Sequence, residues 1–214
     1  MTDHKRRHIE DFSNTVTVLV GSEEQSFTIH QDLICAKSKF FKAACSTRWR
    51  SGNERAVRLP DADPSIFKAY SNWIYSGGLP KDTCTSERSD DDKAAETALL
   101  VELYILGDKL DDIEMRNAIK RQLLNTMRRQ STLTDSKPIR RIYESTLPGS
   151  LMRKMMVDVT LKRQVPSNFA EIISMYPLEF VQDVAVAGLE ATQCVTWDRM
   201  VEEVGKWEEK SQPE

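Results

Sequence analysis

The chain has 214 residues, 40% of them hydrophobic and 29% charged, with a formal net charge of −3. That is enough for one large domain or a domain with a helical appendage, and the basic surplus of a typical nucleic-acid binder is missing. No stretch approaches the roughly 18 apolar residues of a membrane helix. The opening MTDHKRRHIEDF has no apolar run behind its basic residues, so a secretory signal is not expected and a cytoplasmic and/or nuclear location is.

Residues 1–13 are polar and charged and are expected to be disordered. Val16 to Val20 is β-branched and reads as a strand. After a turn at Gly21 to Glu24, Gln25 to Ile29 alternates polar and apolar, which predicts a hairpin with Phe27 and Ile29 inward. The period then changes: Leu33, Ala36, Phe40, Phe41 and Ala44 fit two short helices broken near Lys37-Ser38, with Ser38 as N-cap of the second. Ala56 to Leu59 reads as a short strand. Asp63-Pro64 opens a helix with the stripe Ile66, Phe67, Tyr70, Trp73 and Ile74, and Gly77-Gly78 closes it.

Residues 80–93 lack apolar periodicity and read as an acidic, flexible loop, in which Ser89 precedes acidic residues as an acidophilic kinase site would. Ala94 to Leu110 predicts a helix with Leu99, Leu103, Leu106 and Leu110 on one face. Asp111 and Glu114 have the spacing of a capping box that starts the next helix, through Ile119, Leu123 and Met127. The last third is read as helical throughout: Ile139, Ile142 and Tyr143; then Leu151, Met152, Met155, Met156 and Val159; then Phe169, Ile172 and Ile173 after Pro166; then Leu178 to Leu189 after Pro177. Residues 191–214 read as an acidic tail or a terminal helix.

Little here points to catalysis. Cys35, Cys45, Cys84 and Cys194 include no C-x-x-C pair, and no histidine stands at zinc-ligand spacing from them, so free thiols and no metal are expected. His30 is read as a structural residue at a strand-to-helix junction. No phosphate loop, G-x-G-x-x-G or G-x-S-x-G occurs. No catalytic residue and no cofactor is expected. The basic pairs at 120–121, 128–129, 140–141, 153–154 and 162–163 read as wet helix faces, which makes nucleic acid an unlikely partner.

Three blocks in order carry a family resemblance. FTIHQDLICAKSKFFKAA (Phe27 to Ala44) resembles the most recognisable stretch of the BTB/POZ domain in His30, Leu33, Ser38, Phe40 and Phe41. VRLPDADPSIFKAYSNWIYSG resembles the family's strand into its third helix, and LLVELYILGDKLDDIEMRNAI (Leu99 to Ile119) its closing helix pair. The resemblance implies an α+β fold: a BTB/POZ domain over residues 14–130, with a small three-stranded or larger sheet flanked by short helices. The following residues 131–190 resemble the all-α C-terminal extension of such proteins in filamentous fungi.

The same resemblance implies a non-enzymatic adaptor or scaffold whose partners are other proteins. In the family, the first strand and helices form a homodimer face, which places Leu33, Phe40 and Phe41 near it. The third helix and closing helices can dock a cullin in a ubiquitin ligase, which places Phe67 and Tyr70 near that face. Cullin-binding members carry a hydrophobic residue followed two positions later by Glu. Phe67-Lys68-Ala69 keeps the first and lacks the second, and a lost charge-assisted hydrogen bond of about 1.5–3 kcal/mol counts against a cullin. If the chain is a ligase adaptor, its C-terminal helices are expected to recruit the substrate. The alternative is a transcription-linked regulator touching nucleic acid through the basic C-terminal helices. For each apolar candidate, plain core packing is the commoner fate, since residues on short helices mostly face inward.

Overall fold

Val16, Val18 and Val20 are buried and alternate with half-buried neighbours, and this period of two makes β1 (Thr15–Val20). It belongs to a computed structural model that describes residues 14–48, 56–79, 90–129, 136–162 and 173–192. The chain divides into two compact units, Met1–Thr134 and Asp135–Glu214.

In the first unit β1 is the central strand of three. β2 (Gln25–His30) pairs with it antiparallel, Val18 facing Phe27, and β3 (Ala56–Leu59) pairs with it parallel, Val18 facing Val57. The hairpin turns through Gly21 at φ 78°. A side chain there would be strained and would press within 3.2 Å of Pro64. Ile29 is buried as expected, while Phe27 is half-buried.

Between β2 and β3 lie α1 (Gln31–Lys37) and α2 (Lys39–Arg48), separated by Ser38. After β3, α3 (Pro64–Ser76) starts on Asp63, whose carboxylate accepts from the N–H groups of Ser65 and Ile66, and ends at left-handed Gly77. Then come α4 (Asp90–Lys109) and α5 (Ile113–Arg129), packed as a helical hairpin. Three sequence expectations change here. Residues 80–89 of the acidic loop, Ser89 included, lie outside the described residues, and Asp90 to Lys93 are the first turn of α4. Acidic residues suit that place because a helix N-terminus carries partial positive charge. From Leu100 on, α4 is not one-faced: Leu100, Val101, Leu103, Tyr104, Ile105 and Leu106 are all buried, while Asp91, Asp92, Ala94, Ala95 and Ala98 in its first half are exposed. The N-cap of α5 is Asp112, not Asp111: the Asp112 carboxylate accepts from Met115 N–H at 2.9 Å, and Glu114 pairs with Lys37.

Among the described residues the second unit contains α6 (Ser136–Ser145), α7 (Leu151–Lys162), a 3-10 turn at Ile173–Met175 and α8 (Leu178–Thr192). α6 buries Ile139, Ile142 and Tyr143 as its spacing predicts. α7 does not follow the expected stripe: it buries Met152, Arg153, Met156, Val157 and Thr160, and Leu151 is 63% exposed. The helix is rotated so that Arg153 faces inward, stacks over the Tyr143 ring and donates to the carbonyls of Tyr143 and Thr146 and to the Glu179 carboxylate. Tyr143 and Tyr176 pack on Phe180, and the Tyr143 hydroxyl donates to Asp183 at 2.7 Å. The expected apolar anchors Phe169 and Ile172, together with the acidic tail from residue 193, lie outside the described residues.

Candidate protein-interaction face

The break between α1 and α2 creates a polar problem, because a new helix begins with N–H groups that have no partner within it. Ser38 solves part of it. Its own N–H closes α1 on the Ile34 carbonyl, its hydroxyl accepts from Phe41 N–H at 3.1 Å and donates to the Leu110 carbonyl. The N–H groups of Lys39 and Phe40 point to the carbonyls of Asp111 and Leu110 in the α4–α5 turn. Asp111 takes a left-handed conformation, φ 49°, in making that turn.

This docking decides where two adjacent phenylalanines go. Phe41 is fully buried, while Phe40 stays 38% exposed and touches Phe41 edge to face at 5.3 Å. Ile113, at the first position of α5, is 46% exposed on the same junction. Ion pairs frame it: Lys37 with Glu114 at 3.1 Å and Lys39 with Asp111 at 3.5 Å. An apolar centre with a charged rim is the usual anatomy of a protein interface.

Beneath the junction lies a buried polar knot. Asp112 is fully buried, and its second carboxylate oxygen accepts from the Trp73 indole N–H at 3.0 Å. Burial raises its pKa, opposed by the hydrogen bonds from Met115 and Trp73 and by the charge of Lys37. The Lys37 ammonium lies over the Trp73 ring, 4.5 Å from its centroid. Burial, then the Asp112 charge, pushes the Tyr70 phenol upward. The knot welds α1, α3 and the start of α5 together beneath the face.

Of the five sequence candidates, Phe40 is partly exposed, Leu33 is half-buried, and Phe41, Phe67 and Tyr70 show no accessible surface. Phe67 sits between Phe27, edge to face at 5.0 Å, and Tyr70 at 5.8 Å. Expected near partner faces, Phe41, Phe67 and Tyr70 are core residues, and a side chain without surface has nothing to offer a partner. Spacing alone missed the exposed apolar residues Ile113, Leu124 and Tyr75. Their signal was an apolar residue where the helical stripe does not call for one. His30 bonds the Tyr75 hydroxyl through Nδ1 at 2.9 Å.

Burial, then a hydrogen bond with the Cys45 thiol, pushes the Cys35 thiol up to about 12, and burial raises Cys45 as well. Both therefore stay protonated and unreactive near neutrality. A second feature is an open groove of about 330 Å³ beside the end of α3, lined by Trp73, Gly77 and Leu79 and by Ala118, Arg121, Gln122 and Asn125 of α5. Of the basic residues expected on wet faces, Arg153 is buried, and Arg140 donates to the Met175 carbonyl. No helix among the described residues is long and apolar enough to cross a membrane.

The family profile of the BTB/POZ domain matches residues 6–110. BTB/POZ and MATH domain-containing protein 5 of Arabidopsis thaliana is 31% identical over 97 residues, which cover 43% of this chain and 23% of that protein. The chain thus matches less than a quarter of that relative's length. Among solved structures, the BTB domain of zebrafish PATZ1 is similar with a TM-score of 0.38 and 16% identity, over 51% of this chain and 75% of that one.

Proposed function

With residues 6–110 forming a BTB/POZ domain, a protein–protein interaction module of a non-enzymatic family, we propose that this chain is an adaptor or scaffold that self-associates through the α1–α2 junction. The observation that supports this reading is the exposed pair Phe40 and Ile113 inside the rim of Lys37–Glu114 and Lys39–Asp111. A two-fold interface uses one patch twice, so a patch carrying both charges can meet its own copy with opposite signs facing. The cytoplasm or nucleus suits such a chain, since the thiols of Cys35 and Cys45 are free.

Sedimentation of the purified chain at micromolar concentration tests this. The expected result is a dimer that Phe40→Glu converts to monomer without loss of helix content. A monomer at every concentration, or a dimer indifferent to Phe40→Glu, sinks the reading.

Membership of a cullin-based ubiquitin ligase is the finer proposal, and it draws on the groove beside α3 rather than on Phe67-Lys68-Ala69. Phe67 is buried and Ala69 half-buried, so that run offers no apolar knob and no carboxylate. Binding to a purified cullin, lost with Arg121→Glu in the groove, is the outcome that supports it. The alternative of nucleic-acid contact is weakened by Arg140 and Arg153, whose guanidinium groups serve internal bonds. A shift of labelled DNA at low salt would revive it.

A further inference from the structure

No further inference is drawn: the strongest candidate, the exposed apolar stripe of Leu178, Val186 and Leu189 along α8, carries nothing, because nothing among the described residues shows what covers it.

Discussion

At its central junction the first unit buries a carboxylate, and the second buries a guanidinium. Asp112 accepts from the Met115 N–H in the first turn of α5 and from the Trp73 indole, and Arg153 donates to carbonyls at the end of α6. Both serve the same physical need, because helix ends leave donors at one terminus and acceptors at the other, and the helix dipole favours an anion at the first and a cation at the second. The surroundings differ. The first unit encloses Asp112 in an apolar core of strand and helix residues, while the second, a small helical unit, leaves Leu147, Leu151, Leu178 and Leu189 largely exposed. Small units bury a lower share of their surface, and one well-placed polar anchor matters more in them.

Removing apolar volume from the first unit has the largest effect. Phe67→Ala should cost about 3–5 kcal/mol in denaturant unfolding, with faster amide exchange confined to residues 14–129. Arg153→Met should cost about 2–4 kcal/mol, because it leaves two carbonyls at the end of α6 without their donor. Its faster exchange should stay within residues 136–192. If Arg153→Met loosened the first unit equally, the two would not be separate in stability and the comparison would fail.

Asp112→Ala should cost about 2–3 kcal/mol, the sum of a lost cap and an unsatisfied Trp73 N–H. The carboxyl also adds a pH signature that Arg153 lacks. Its pKa is raised by burial, so its contribution is fullest below the unfolded value of about 4 and declines as pH rises through the folded pKa. Unfolding curves should therefore shift in favour of Asp112→Asn relative to the natural chain as pH climbs above about 4. A constant difference between the two would mean that Asp112 does not feel its burial. The smallest effect on stability is expected at Phe40→Glu, within about 0.5 kcal/mol, since the side chain is partly exposed. Its effect should appear in association instead.

Caps at the starts of helices were legible because a cap and its helix are neighbours in the chain. Asp63, Pro64 and Gly77 bound α3 as their types predict, and Asp112 took the expected role of Asp111 one residue later. Arg153 was not legible, since its partners belong to another helix and the alternation around it looked like an ordinary wet face.

The sequence by itself determined the period of each described strand and most helices, their order, and with it the BTB/POZ architecture. These depend on residues a few positions apart, whose spacing sets which side chains share a face. Only the tertiary structure decided that Phe41 goes in while Phe40 stays out, that the second half of α4 is buried around most of its circumference, and that α7 turns Arg153 inward. Each of these depends on which distant segment supplies the other half of a contact, and local spacing carries no record of that.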